Sequence, residues 1–216
     1  MKVIILLGAP GSGKGTIAAR LVQRFGVRHV SSGDLLRAAV KQDDTPAARA
    51  AAASMRKGEL VADAVVGSLV VERLRRFGPE DVVLLDGYPR NASQAVSLDA
   101  EAGRAGIRVA AAVWLEASED VIQRRLAGRR VCGACAAGYH VENMPPRVAG
   151  VCDRCGAPLI RREDDVPDRI AHRLVVYRTE TAELIDAYER RGLLVRVDAD
   201  AEADAVAARV AEAVLA

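Results

Sequence analysis

Short apolar runs separated by longer stretches of mixed polarity set the organisation of this chain. Val3-Ile4-Ile5-Leu6-Leu7, Val82-Val83-Leu84-Leu85, residues 110–115 and residues 194–197 are nearly continuous in aliphatic side chains, which predicts strands buried on both faces. Val30-Ser31-Ser32 predicts one more short strand ending in a loop. Helical patterns lie between these runs, and strands alternating with helices predict an α/β fold, a parallel sheet with helices on both faces. Residues 34–78 carry no strand pattern and read as a helical insertion after the first strand–helix unit. There, Asp34 is placed to cap a helix over Leu35–Lys41, and Pro46 opens an alanine-rich helix to Lys57 that Gly58 ends. Asp63 starts another reaching Phe77. From Val166 or Pro167 a long helix is expected to about Arg190, with Gly192 as its stop.

The first strand runs straight into Gly8-Ala9-Pro10-Gly11-Ser12-Gly13-Lys14-Gly15-Thr16. This fits the phosphate-binding loop G-x-x-x-x-G-K-[ST] in a shifted form, Gly15 standing between Lys14 and Thr16. Glycines let backbone N–H groups turn toward phosphate oxygens, and the helix that follows adds its positive dipole end. Lys14 supplies a point charge for the β- and γ-phosphates, and Thr16 a hydroxyl near them or near Mg²⁺. The loop predicts binding of a nucleoside triphosphate.

Residues 129–165 break the helical and strand patterns alike. They hold all four cysteines, three of the eight prolines and several glycines, and so long an irregular segment needs something other than a core to hold it. Cys132-x-x-Cys135 and Cys152-x-x-Cys155 provide it: two knuckles at this separation match a tetrahedral Cys₄ zinc site. With four thiolates and no fifth ligand implied, the ion is expected to be structural Zn²⁺.

Composition narrows the classes further. Half of the 216 residues are hydrophobic but only 3% are aromatic, so the core must be aliphatic and alanine-rich. Lys+Arg 31 against Asp+Glu 29 leaves a formal charge of +2, which is no signature of a polyanion-binding surface, although arginines gather between residues 124 and 173. The first apolar run is too short for a leader or a membrane span. A cytoplasmic location, with no membrane and no nucleic acid as partner, is the expectation.

Val82–Leu85 ends in Asp86-Gly87-Tyr88-Pro89-Arg90. A carboxylate at the carboxyl end of a strand beside the phosphate loop is placed to orient Mg²⁺, and Gly87 and Arg90 offer close backbone approach and a fixed guanidinium. Taken in order, the stretches Gly8–Thr16, Ser31-Ser32-Gly33-Asp34-Leu35-Leu36-Arg37, Gly58-x-Leu60-Val61, Asp86–Arg90, Gly128-Arg129-Arg130, Tyr139-His140, Arg161-Arg162-x-Asp164-Asp165 and Arg173 resemble the successive signatures of adenylate kinases. The resemblance covers nearly the whole chain.

That resemblance implies a P-loop core of residues 1–30, 62–128 and 166–216, an AMP-binding helical insertion of 31–61, and a long, zinc-bound lid of 129–165. It implies ATP at Gly11, Ser12, Gly13, Lys14, Gly15 and Thr16, with Arg129, the Gly138-Tyr139 turn and Ala201 completing the site. It implies AMP at Ser32, Arg37, Glu59, Leu60, Val61, Gly87, Tyr88, Pro89, Arg90 and Gln94, with Arg162 and Arg173 reaching the phosphates. Lys14, Arg90, Arg129, Arg162 and Arg173 would carry catalysis, Asp86 would orient Mg²⁺, and Arg125 is a weaker candidate. ATP, AMP and ADP are the implied partners of a monomer. Ser32, Tyr88 and Ala201 depart from the family's usual threonine, phenylalanine and glycine. Two other readings stay open on the sequence alone: a kinase for CMP, UMP or GMP, and a zinc-ribbon nucleic-acid-binding ATPase. Gln94 argues for adenine, since a carboxamide both donates and accepts along a purine's Watson–Crick edge.

Overall fold

The computed structural model describes residues 1–42, 45–57 and 59–215, so the expected helix stop at Gly58 lies outside the described residues. Five parallel strands form the central sheet: β1 (Lys2–Leu7), β2 (Arg28–Ser31), β3 (Val82–Asp86), β4 (Arg108–Glu116) and β8 (Leu194–Asp198), in the order β2-β3-β1-β4-β8. The central strands are the apolar runs of the sequence, and in β1 every residue from Val3 to Leu7 is buried. One face of the sheet packs Ile4, Leu6, Leu84 and Val113 against α1 (Lys14–Phe25) and α8 (Ala203–Val214). The other packs Val3, Ile5, Leu85 and Ala112 against α2 (Ser32–Gln42), α4 (Asp63–Leu74), α5 (Ala92–Arg104) and α7 (Pro167–Arg190). Burial on both faces is what makes a parallel sheet read as continuous aliphatic runs.

α3 (Pro46–Lys57) and α6 (Glu119–Gly128) are the remaining helices among the described residues. A third cluster, Ala9, Ile122, Leu126, Ile170 and Leu174, seats α6 against α7 directly under the phosphate loop. Residues 129–160 hold a second, antiparallel sheet of three short strands, β5 (Arg129–Cys132), β6 (Gly138–His140) and β7 (Leu159–Ile160), in the order β6-β5-β7.

Several expectations need adjusting. The strand expected over Val30–Ser32 occupies Arg28–Ser31, and helix α2 begins at Ser32 rather than Leu35. The cap is Ser31, whose hydroxyl accepts the Asp34 N–H at 3.3 Å. Asp34 sits inside the first turn, where its charge meets the helix dipole. Helix α4 stops at Leu74, three residues short of Phe77, where Phe77 N–H turns back onto Leu74 O at 3.1 Å. Residues 138–139, expected as a turn, lie in strand β6.

Candidate active site

The site assembles at the carboxyl ends of the parallel strands, where the order of connections reverses around β1. β1 ends at Leu7 and delivers the loop 8–13. Gly8 has φ +145°, and a Cβ there would stand 2.5 Å from Ser12 Oγ and 2.8 Å from Leu115 O, so only glycine lets the loop fold this tightly. Lys14 opens α1, and its Nζ donates to Gly8 O at 2.7 Å and Ala9 O at 3.0 Å, folding the lysine back over the loop. Thr16 lies in the same first turn. Ser12 Oγ is buried and has no hydrogen-bond partner among the described residues, a donor left for an anion.

Strand register puts Asp86 level with Leu6 on one side and Ser31 on the other. Burial opposes ionisation of Asp86, yet His29 and Lys14 hold it below the usual carboxylate range. His29 Nε2 stands 3.7 Å from Asp86 Oδ2. Lys14 is lowered to about 8, first by burial, then by Arg90, Arg173 and Arg129, while Asp86 pulls the other way.

Gly87 follows in a left-handed conformation, φ +77°, and a Cβ there would lie 2.8 Å from Ser32 Oγ. That approach lets buried Ser32 donate to Gly87 O at 2.6 Å, tying the first turn of α2 to the end of β3. Arg90 Nε donates to the same carbonyl at 2.8 Å. Tyr88 is buried, precedes Pro89 through a cis peptide bond, and donates its hydroxyl to Gln94 O at 3.3 Å. Gln94 is buried too: its Oε1 accepts Arg90 N–H at 2.8 Å and its Nε2 donates to Asp63 Oδ1 at 2.7 Å. Those bonds leave the carboxamide one N–H and one lone pair. Beyond α3, Glu59 is exposed and hydrogen-bonds Ser54 O through its N–H, Leu60 is half-buried and Val61 is buried.

The remaining cations come from the second sheet and α7. Arg129 grips buried Asp165 with both arms, Nε to Oδ2 at 2.6 Å and Nη2 to Oδ1. Arg173 donates to Asp165 Oδ1 at 3.2 Å and pairs with Asp164 Oδ2 at 2.9 Å. Arg162, two residues past β7, is lowered to about 10 by burial and then by Arg37 of α2 and Arg129 of β5. Arg90 lies within electrostatic reach of Arg173, Arg37 and Asp86. Lys14, Arg37, Arg90, Arg129, Arg162 and Arg173 are thus linked into one set by electrostatic reach. Arg125 bridges Ser12 O and Ala201 O, both at 3.3 Å, and so joins the phosphate loop to the segment after β8. Lys41 Nζ of α2 donates to Gly133 O at 3.2 Å, a direct contact between the helical insertion and a cysteine knuckle.

The four cysteines converge. Cys132 and Cys155 Sγ are 3.4 Å apart, Cys135 and Cys152 Sγ 3.6 Å, and all four sulfurs lie within 4.8 Å of one another. A disulfide is far shorter. Four thiolates around one zinc at about 2.3 Å give sulfur–sulfur separations of about 3.8 Å, so the donor set fits Zn²⁺ in number, chemistry and spacing.

A sequence profile of one family, adenylate kinase, matches residues 6–193. Relatives agree along nearly the full length. An adenylate kinase of Syntrophobacter fumaroxidans is 44% identical over 207 residues, covering 96% of this chain and 97% of its own. One of Novosphingobium aromaticivorans is 44% identical over 214 residues, covering 99% and 98%. One of Sphingopyxis alaskensis is 46% identical over 204 residues, covering 94% and 93%. The chain belongs to the adenylate kinase family. It is a nucleoside monophosphate kinase, and the reaction of the family is ATP + AMP = 2 ADP, with Mg²⁺ entering on ATP. Among the described residues no helix is long and apolar enough to cross a membrane.

Several partners in the adenylate kinase site carried no sequence signal of their own. Asp63 marks the start of α4, but it also accepts from Gln94, from Ser93 Oγ at 2.8 Å and from Asn91 Nδ2 at 3.4 Å. Burial works against its charge, and these bonds outweigh it, holding the carboxyl below its usual range. His29 gains a role only because β2 lies beside β3. Asp165 stood inside the Arg161–Asp165 stretch, yet nothing in spacing marked it as a fully buried carboxylate shared by two arginines, Arg129 and Arg173.

Proposed function

We propose that this adenylate kinase divides its labour as follows. MgATP lies with its triphosphate on residues 11–16, Lys14 swinging from the Gly8 and Ala9 carbonyls to the β- and γ-phosphates, and Asp86 and Thr16 facing the Mg²⁺ that ATP carries. Arg129, the β6 strand and the Arg125–Ala201 clamp close the ATP side. AMP sits between Ser32, Arg37, residues 59–61 and residues 87–90. Gln94 reads adenine with the N–H and lone pair that Asp63 and Arg90 leave over.

An AMP phosphate oxygen then attacks the γ-phosphorus in line, and the bond from that phosphorus to the β–γ bridging oxygen breaks, leaving ADP on each side. No general base is required, because the attacking phosphate is already anionic. Barrier lowering comes from position and from fixed positive charge along the transferring group, which Arg90, Arg162 and Arg173 supply as planar forks. Residues 31–61 and 129–165 act as bodies that close on the core and exclude water, and zinc on Cys132, Cys135, Cys152 and Cys155 keeps the second body rigid. A cytoplasmic monomer acting on free nucleotides, with no nucleic acid or membrane as partner, completes the reading; the near-balanced charge supports it.

One observation carries the proposal: Lys14, Arg37, Arg90, Arg129, Arg162 and Arg173 form one connected set near the strand ends, each within electrostatic reach of at least two of the others. Such a cluster is stable in company with several phosphates. Initial rates with MgATP and each of AMP, CMP, UMP and GMP test it. AMP is expected to be turned over fastest by a wide margin, and faster turnover of any of the other three would overturn the adenine assignment.

A further inference from the structure

Tyr139 is half-buried, and its side chain makes its polar contacts at the cysteines. It lies in β6 opposite Arg130 and one residue from the Arg129–His140 pair, so its backbone belongs to the strand that steadies Arg129. Its ring reaches the second cysteine knuckle instead. The hydroxyl oxygen accepts the N–H of Asp153 at 2.8 Å and stands 3.4 Å from Cys152 Sγ. A phenol has one hydrogen to give. With the oxygen already accepting from Asp153, that hydrogen is directed at the sulfur. Cys152 is buried, and as a metal ligand it is a thiolate with no proton of its own, so the bond must run from oxygen to sulfur.

We propose that Tyr139 is a positioning residue of the metal centre, donating its hydroxyl proton to the Cys152 thiolate. The proposal rests on zinc being held by the four cysteines. Four thiolates around a dication leave a net charge of −2, and a hydrogen bond to one sulfur draws off part of it. The same bond fixes the Cys152 rotamer for the ion. Outer partners of metal ligands act in this way, and removing one weakens metal binding by about 10- to 100-fold. The arrangement also ties the ion to the strand that pairs with Arg129, so metal and phosphate-handling arginine share one rigid piece.

The test uses the full-length protein, with zinc content measured first. About one zinc per native chain is expected, and an absence of zinc would overturn the zinc reading and this proposal together. Given zinc, Tyr139→Phe keeps the ring and removes only the hydroxyl. Competition against a chromophoric chelator is expected to show zinc bound about tenfold more weakly than in the native protein. With Co²⁺ in place of zinc, the sulfur-to-metal charge-transfer band is expected to move to lower energy, because an unbonded thiolate lone pair lies higher. Placing 3-fluorotyrosine at position 139, a stronger donor, is expected to move the band the opposite way, and it decides the matter if Tyr139→Phe does not fold. Zinc bound as tightly in Tyr139→Phe, with unchanged Co²⁺ bands in both variants, would overturn the proposal and leave the zinc site standing.

Discussion

Binding of a nucleotide polyphosphate near pH 8 should draw protons from solution, and Lys14 is the reason. In the free protein burial of its ammonium, and then the nearby Arg90, Arg173 and Arg129, lower it to about 8, although Nζ is held on two carbonyls and Asp86 pulls the other way. Phosphates at Nζ supply the opposite charge that offsets both burial and repulsion, and they return the group toward its ordinary range. At pH 8 a lysine titrating at about 8 is about half deprotonated, so binding takes up about 0.5 proton; the uptake falls to about 0.1 at pH 7 and rises to about 0.9 at pH 9. Arg162, held at about 10, adds to this only above pH 9. The sign for stability follows. Unfolded Lys14 binds its proton more tightly than folded Lys14, so this group favours the free folded protein increasingly as pH rises from about 8 toward 10.5. Calorimetric titration with MgATP at pH 8, in two buffers of different ionisation heat, reads the uptake as a slope. Lys14→Met should flatten that slope. A native slope near zero at pH 8, or one equal to that of Lys14→Met, would refute the argument.

Asp165→Asn keeps the shape of the side chain but leaves Arg129 and Arg173 without their buried counter-charge, and should destabilise the protein by about 3 kcal/mol in chemical denaturation. Gly67 lies within α4, where alanine gains about 1 kcal/mol of helix propensity, but a Cβ there would stand 3.2 Å from Tyr88 Oη. Gly67→Ala should therefore stabilise more in a Tyr88→Phe background than in the native one, as a double-mutant cycle of thermal unfolding would show. Removing zinc by chelation, or Cys152→Ser, should lower the temperature at which residues 129–165 lose structure, followed by hydrogen exchange, with a smaller loss of turnover in the cold.

The sheet was legible because burial on both faces writes itself as unbroken aliphatic runs: Val3–Leu7 and Val82–Leu85 needed no partner to be read. The phosphate loop was legible because its backbone demands glycine at fixed offsets. The second sheet was not, since strands of two to four residues hold no period, and what stabilises them lies in sulfur positions rather than in alternation. Ser31 as a cap was missed because Asp34 competes for the same part in the same turn. Gln94 illustrates a further limit. Its residue type pointed to adenine, and its bond to Arg90 is local, but its bond to Asp63 comes from α4 meeting α5 across 31 residues of sequence, which no local pattern encodes.

The carboxylates among the arginines address a problem that the function creates. A site able to neutralise the phosphates of two nucleotides must hold six cations together before any nucleotide arrives, and unscreened repulsion at short range would open it. Asp34 pairs with Arg37, Asp164 with Arg173, and Asp165 with Arg129 and Arg173, while Asp86 attracts Lys14 and Arg90. Each pairing takes only part of a guanidinium's five N–H donors, so the rest stay available to phosphate. Asp165 joins β5 to the start of α7, and through it Arg129 and Arg173 are linked by one buried group. Arg129 and Asp165 both belong to residues 129–165, so they form one unit, and Arg173 of α7 holds that unit from the other side. In the proposed division of labour the arginines would therefore meet the transferring phosphoryl group with their geometry already set, which is the condition under which fixed charge lowers a barrier without reorganising.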